Sequence, residues 1–509
     1  MQRWWLAMIF AVIGCAGSSS TSNSVLERNN HPSRDAHFIQ PALTRAAAAR
    51  LALDAGFQAT FSGAMFASPL FLESGPGGKG LFFAVTSGND VFALDETTGA
   101  IVWTHNIGPS PTASGAGCGN ISPIGILSTP VIDAGARTIY VAGAIGPGAA
   151  IARHEVHALS VDDGTERAGW PVDVSTMAAP GPDGGATLPF MPMPQNQRSA
   201  LSLVRGILYV AYGGHVGDCG PYHGWVVAIN TKKPTEHGAW ATGGQGEGIW
   251  ASGGMASDGA GVFAVTGNAT SGTSNHLDSE EVVRLTGLST LDRTTTSNHF
   301  YPTSWRGMDG ADSDFASNNP IYLTVPGATP ANYVMALSKD GHMYLNDSAN
   351  LGGLGGQLVD FVVSSGNTTL TSPTAYTSGQ RVHVALNTAG SLCPGGAVGR
   401  AVMSVVLPAG APPRPLITWC VPTGANTAPI STTTDGKTDA IVWFMNGASL
   451  NAVDGDTGAP IFNGGTGTCP GVRQWTSPIA VKGRIVVGAD GHLCSWSVHG
   501  AASDAAARQ

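Results

Sequence analysis

An all-β ring of eight four-stranded antiparallel sheets, an eight-bladed β-propeller, is the fold class this sequence predicts. Three observations predict it. A phrase of apolar strand, polar turn and small or turn-forming residues recurs eight times. Each copy follows a second apolar strand and, further upstream, a strand of small residues. Finally, 70 glycines and 32 prolines accompany only 12% charged residues, the balance produced by short apolar strands joined by tight turns. Amphipathic helical stretches between the strands are nearly absent, which argues against a parallel-sheet alternative.

The clearest copy is VFALDETTGAIVW, residues 91–103. Residues 91–94 read as a strand, and 95–99 as a turn in which Asp95 bonds backbone N–H groups and Gly99 takes a positive φ. Residues 101–103 return as a strand ending in Trp103. Such a hairpin buries its faces only against neighbours of the same shape. Further copies start at Val156, Trp225, Glu281, Met343, Val402, Leu450 and Leu493. The strands before them are LFFAV, TIYVA, ILYVA, VFAVT, YVMAL, VHVAL, IVWFM and RIVVG. The small-residue strands are FASPL, LSTPV, RSALS, WASGG, FASNN, LTSPT, NTAPI and WTSPI. The last set lacks a fourth strand, and FQATF at 57–61 is expected to supply it, so that an N-terminal strand closes the ring. Seven blades is the alternative if 399–421 is a loop elaboration.

The predicted organisation is a signal segment at 1–14, a flexible tether at 15–45, the propeller at 46–500 and a disordered tail at 501–509. Arg3 precedes an apolar run too short to span a bilayer comfortably. Val12-Ile13-Gly14-Cys15 resembles a bacterial lipobox, which implies acylation of Cys15, attachment to the membrane through that lipid, and an outer-membrane, periplasmic or cell-surface location. An ordinary secretory signal is the alternative. The six cysteines after Cys15 suit an exported chain with disulfides, and the expected pairs are Cys393–Cys420, Cys469–Cys494 and Cys118–Cys219. The formal charge of −9 comes without a basic stripe, so no nucleic-acid partner is expected.

Ala93, Asp95, Thr98, Gly99 and Trp103 spell Ala-x-Asp-x-x-Thr-Gly-x-x-x-Trp. This resembles the tryptophan-docking repeat of the quinoprotein, PQQ-dehydrogenase-like β-propellers, in which the Trp packs against the next blade. The resemblance in blade order covers nearly all of 57–499. It implies pyrroloquinoline quinone over the ring axis with Ca²⁺ bridging cofactor and protein. By that resemblance Trp250 is the stacking floor, Asn268 a Ca²⁺ ligand, Asp278 the base and Lys339 the contact to the quinone oxygens. Asp218 stands near the family's Ca²⁺-ligating Glu, one residue out of step. Oxygen ligands suit a hard cation. The sequence also departs from the family: it has no adjacent Cys-Cys pair and no CxxCH haem motif.

Each of these residues has a plainer reading. Thr266-Gly267-Asn268 is a good turn, Lys339-Asp340-Gly341 a good hairpin turn, and Trp250 a filler between blades. His215, Asp218, Tyr222 and His223 lie in one glycine-rich loop, suited to the axial mouth or to a metal, or simply a polar loop; Arg198 is a further axial-face candidate. Asp309, Asp312 and Asp314 in MDGADSD make a carboxylate-rich loop suited to Ca²⁺ without EF-hand spacing. The function expected is a lipid-anchored binding or scaffold module for an envelope protein, carbohydrate or small molecule. The alternative is a PQQ- and Ca²⁺-dependent alcohol or sugar dehydrogenase.

Overall fold

The computed structural model describes residues 23–112, 117–182, 185–270, 275–290, 293–366, 371–465 and 467–498. Each of the eight phrases contributes the third strand of a sheet: Asp90–Asp95, Arg153–Ser160, Trp225–Asn230, Val282–Leu285, His342–Asp347, Arg400–Leu407, Ser449–Asp454 and His492–Ser497. We number the sheets blades 1 to 8 in that order. The segment 399–421 is no loop elaboration: Thr374–Ser378, Arg381–Ala389, Arg400–Leu407 and Leu416–Pro422 make blade 6, so the ring has eight members. Inner strands such as Leu81–Val85 and Thr138–Ile145 are buried along their whole length. Blades cover them on both faces, which is why these strands read as continuous apolar runs rather than alternating ones.

The ring closes as expected, with one refinement. Ala59–Thr60, inside the predicted 57–61 stretch, pairs antiparallel with blade 8 at Leu493 and His492. Ala52–Leu53 pairs with the same strand at Ser497 and Trp496, so two short pieces share the outer position.

The docking phrase works through backbone satisfaction. Asp95 Oδ1 accepts from the Thr97 and Thr98 amides at 3.0 and 2.8 Å and from the Thr98 hydroxyl at 2.9 Å. Asp454 repeats the pattern with Asp456 and Thr457 in blade 7. The Trp103 indole N–H donates to Val161 O at 3.0 Å, and its ring covers Gly164, where an added Cβ would sit 2.7 Å from the indole. Trp419 does the same across blades 6 and 7, donating to Gly455 O at 2.9 Å. One tryptophan therefore fastens each of these two blades to its successor.

Residues 23–45 require a correction, because they fall in the stretch expected to be a flexible tether and are instead built into the ring. Running from Val25 to Gln40, the segment hydrogen-bonds the innermost strand of every blade or the residue leading into it. Val25 exchanges bonds with Phe71, Leu26 O accepts from Ile132, and Pro32 O accepts from Ser257. Ser33 O accepts from Tyr322, Asp35 O from Ala375 and Ala36 O from Ser431. Arg34 reaches Leu201 O and Ser202 Oγ, and Gln40 donates to Ala480 O. Its arginines are consumed there: Arg28 and Arg34 are fully buried, and Arg34 pairs with Glu27 at 3.0 Å. Backbone and buried polar side-chain hydrogen bonds hold the segment, with Val25, Ala36, Phe38 and Leu43 packed in the core.

The three expected disulfides are present: Cys118–Cys219, Cys393–Cys420 and Cys469–Cys494. Cys15, the signal reading at 1–14 and the tail at 501–509 lie outside the described residues. Among the described residues no helix is long and apolar enough to cross a membrane.

Replacing Trp103 by Ala removes a large buried side chain and its hydrogen bond between blades 1 and 2. The expected cost is about 3–5 kcal/mol of unfolding free energy, read from the urea midpoint. A loss below about 1 kcal/mol would show that the dock contributes little.

Candidate functional site

In an up-and-down sheet, the connection before the first strand and the one between the second and third strands fall at the same end. Arg198, Trp250, Asp314 and Trp475 precede the innermost strands of blades 3, 4, 5 and 8. The loop 215–222, Asn268 and Lys339 lie between second and third strands of blades 3, 4 and 5. All of these residues therefore converge on one end of the axis, where they line a cavity of about 400 Å³ with His215, Val216, Asp218, Tyr222 and Asp312.

Two indoles and two cations organise it. The Arg198 guanidinium carbon stands 4.9 Å from the Trp250 ring centre and 4.8 Å from that of Trp475, so the cation lies against both rings. Burial lowers its pKa to about 10, which leaves it charged. Lys339 Nζ is 5.3 Å from the Trp250 ring and ion-pairs with Asp312 Oδ1 at 2.8 Å and Asp314 Oδ2 at 2.5 Å. Burial alone would lower the Lys339 pKa, but the two carboxylates hold it above its ordinary value. Asp314 is 2% exposed. Burial raises its pKa, partly offset by Lys339, and its Oδ1 accepts from the Asn268 amide at 2.8 Å. Asp312 caps the short helix Trp305–Ala311 in the left-handed conformation, which turns the chain into the cavity.

The backbone around the cavity is strained. Asp218, Glu247, Asp278, Asp312 and Trp475 all have positive φ, and for a residue as bulky as Trp475, at 66°, this is a true outlier. Arg28 from the axial segment donates to the Trp475 carbonyl, and Trp475 N donates to Asn426 O at 2.7 Å. Tyr222 donates to Asp218 Oδ1 at 2.6 Å, and burial pushes the phenol's pKa up. His215 is buried, which lowers its pKa.

Of the residues named from the sequence, Trp250, Asn268, Lys339, Asp218, Arg198, His215 and Tyr222 line this cavity, and Asp278 and His223 do not. The Asp278 carboxylate accepts from Arg293 Nε at 2.9 and 3.1 Å and from the Gly243 amide at 2.7 Å. His223 Nδ1 donates to Thr242 O at 3.0 Å, which fixes its ring at the entry of a strand. The carboxylates that do reach the cavity are Asp218, Asp312 and Asp314. Asp309 stays behind them, accepting from Ala269 N and Ser279 Oγ, each at 3.0 Å. Trp475 was not singled out from the sequence, yet a signal was there. Arg198, Trp250 and Trp475 each open a small-residue phrase, RSALS, WASGG and WTSPI, and that first position faces the axis.

No family model and no curated protein matches the chain. Solved structures do. The quinohemoprotein alcohol dehydrogenase of Comamonas testosteroni aligns at a TM-score of 0.61 and 13% identity, over 94% of this chain and 81% of that one. The quinohemoprotein alcohol dehydrogenase ADHIIG of Pseudomonas putida HK5 aligns at 0.63 and 13%, over 94% and 80%. A europium-containing methanol dehydrogenase aligns at 0.57 and 14%, over 91% and 89%. The fold is that of the quinoprotein dehydrogenases. Within this quinoprotein-type propeller, the acids behind Asn268 are unusual in their burial. Glu247 and Glu280 are pushed well above the ordinary carboxylate range by burial, with Asp278 and Asp314 respectively adding to the effect.

Glu281 gives a pH signature. It is 1% exposed, bonds His299 Nδ1 at 2.6 Å, and burial raises it to about 7. A carboxyl raised on folding stabilises the fold below its unfolded pKa near 4.5, and that contribution disappears as pH climbs through about 7. Glu281→Gln lacks this titration. Its unfolding free energy relative to the natural chain should therefore rise between pH 4.5 and 7 and level off above. Parallel stability–pH curves from urea titrations would refute the assignment.

Proposed function

We propose that the axial cavity binds a planar quinone bearing carboxylates, of the pyrroloquinoline quinone type, beside a hard cation such as Ca²⁺, and that the protein is a quinone-dependent oxidoreductase of alcohols or sugars. The observation that carries this reading is the convergence of flat aromatic faces, two cations and an oxygen donor set on one cavity. Trp250 and Trp475 offer faces to a planar ring. Arg198 and Lys339 suit its carboxylates, Arg198 through its planar fork of donors. Asp218, Asn268 and Asp314 would supply hard oxygen ligands of the kind such a cation requires. Lys339 already sits as a cation between Asp312 and Asp314, which supports the fit of positive charge there.

When bound, the quinone supplies the two-electron acceptor that no side chain provides. The chain's own part is to bind, orient and deprotonate. The base role expected of Asp278 passes to Asp312, which lines the cavity with its side chain 65% exposed, because Asp278 lies outside that lining. Geometry within reach of a substrate hydroxyl is the first requirement for a base. Asp314, nearly fully buried and engaged by Lys339 and the Asn268 amide, is less accessible to a substrate hydroxyl than Asp312.

A second reading, a binding module without cofactor, draws support from the same pairs. Arg198 lies against both indoles and Lys339 is paired with both aspartates, so the cavity is internally satisfied. An anionic carbohydrate or protein group would then compete for these cations.

The test is retention. The purified full chain is incubated with pyrroloquinoline quinone and Ca²⁺ and passed through gel filtration. Cofactor absorbance should co-elute with protein, and Asn268→Ala and Trp250→Ala should each weaken binding by at least about tenfold, or 1.4 kcal/mol. Dye reduction with alcohols or sugars then reads turnover. Absence of co-elution would overturn the oxidoreductase and leave the binding module.

We further propose that Cys15 carries a lipid that attaches the propeller to the bacterial envelope, on the strength of the Val12–Cys15 motif. Cys15→Ser should move the protein from the membrane to the soluble fraction in a bacterial host. An unchanged distribution would defeat the anchor.

A further inference from the structure

Cys469, His492 and Cys494 meet at the seam where the ring closes, and none of them lines the axial cavity. His492 and Cys494 are two apart on the strand His492–Ser497, so both side chains leave the same face. Cys469 comes from the loop before blade 8's innermost strand, anchored by its amide on Ala448 O at 2.8 Å. One ligand atom from each of the three lies within 4.8 Å of the others.

The imidazole is oriented. His492 Nδ1 lies 3.0 Å from Asp490 O, and a carbonyl only accepts, so Nδ1 carries the hydrogen. Nε2 is left with its lone pair and stands 3.7 Å from Cys469 Sγ. A carbonyl that fixes the tautomer of a ligating histidine is the usual outer partner of a metal site. The N···S separation is that of two ligands on one tetrahedral zinc, about 3.5 Å for bonds of about 2.0 and 2.3 Å. Cys469 is fully buried, while its neighbours Thr468 and Pro470 are exposed, so the cluster lies just beneath the surface. A cavity of about 310 Å³ bordered by Asp54, Thr468, His492 and Cys494 adjoins it and has room for a water as fourth ligand.

We propose that, once its disulfide is reduced, this cluster is a binding site for a thiophilic cation of the zinc class, held by the Cys469 and Cys494 thiolates and His492 Nε2. A dithiol is the reductant: it gives two electrons and two protons, forms its own disulfide, and leaves Cys469 and Cys494 as thiols. The entering cation displaces those two protons to solvent and takes both sulfurs as thiolates. The seam is then fastened by a covalent bond under oxidising conditions and by a coordinated ion under reducing ones.

Cobalt is the probe. The full chain is reduced with a dithiol, freed of it anaerobically and titrated with Co²⁺. The expected result is thiolate-to-cobalt charge-transfer absorption with the visible bands of a tetrahedral ion, saturating at one equivalent and displaced by Zn²⁺. The oxidised chain should show none of it, and Cys393→Ser/Cys420→Ser, which removes another disulfide, should retain all of it. His492→Gln should weaken the affinity more than about tenfold, beyond the loss of an outer-shell partner, and shift the visible bands. Circular dichroism verifies that each variant is folded. Absence of the charge-transfer band in the reduced chain, its persistence in Cys469→Ser/Cys494→Ser, or an unaltered spectrum in folded His492→Gln would each overturn the proposal.

Discussion

Eight innermost strands turn one edge toward a common axis, and the backbone groups on those edges must be paired somewhere. The segment from Val25 to Gln40 meets that requirement for the whole ring, hydrogen-bonding every blade and pairing as a short parallel strand, His37–Ile39, with blade 7. A water-filled axis would also satisfy those groups, but it would leave each blade free to shift against the others. A single chain crossing all eight inner strands couples them. The buried Arg28 and Arg34 then anchor the segment to carbonyls that no strand partner uses, Arg28 on Trp475 and Arg34 on Leu201 and Met255.

The cavity depends on the same coupling. Trp475 contributes an aromatic wall only while its backbone holds a left-handed conformation that a bulky residue rarely adopts, and its carbonyl is held by Arg28. The opposite wall, Trp250, opens the equivalent phrase half a ring away, in blade 4 against blade 8. Between them Arg198 is kept in place by two cation–π contacts and by the Trp250 carbonyl at 3.3 Å. Flat walls, fixed cations and carboxylates thus come from four different blades, and their relative placement is a property of the closed ring rather than of any local motif.

What the sequence revealed follows from this. The repeating phrase is local, so the eight third strands and the closing N-terminal strand were legible, whereas the disulfide pairing, which includes Cys118–Cys219 across 101 residues, was not fixed by the sequence. Trp250, Asn268 and Lys339 were named through the resemblance to the quinoprotein propellers, and all three line the one cavity. Asp278 was misjudged because motif spacing cannot tell a carboxylate facing the axis from one engaged by Arg293, which is fifteen residues further on. The axial segment was hidden for a related reason. It is held by backbone bonds to six blades and by the Arg34 and Gln40 side chains on the other two, and such bonds leave no trace in apolar periodicity. Trp475 was hidden only in part, since it opens WTSPI at the place where Trp250 opens WASGG and Arg198 opens RSALS.

The seam of blade 8 has a meaning in time. His492–Ser497 leaves the ribosome after every other described strand, whereas Ala52–Leu53 and Ala59–Thr60 leave before any blade is complete. During synthesis the early pieces must wait, unpaired, while seven sheets form behind them. An open strand that waits is an invitation to foreign polypeptides. Splitting it into two stubs of two residues each limits what a stranger could pair with, while the strand His492–Ser497 receives both, at Trp496 and Ser497 and at His492 and Leu493.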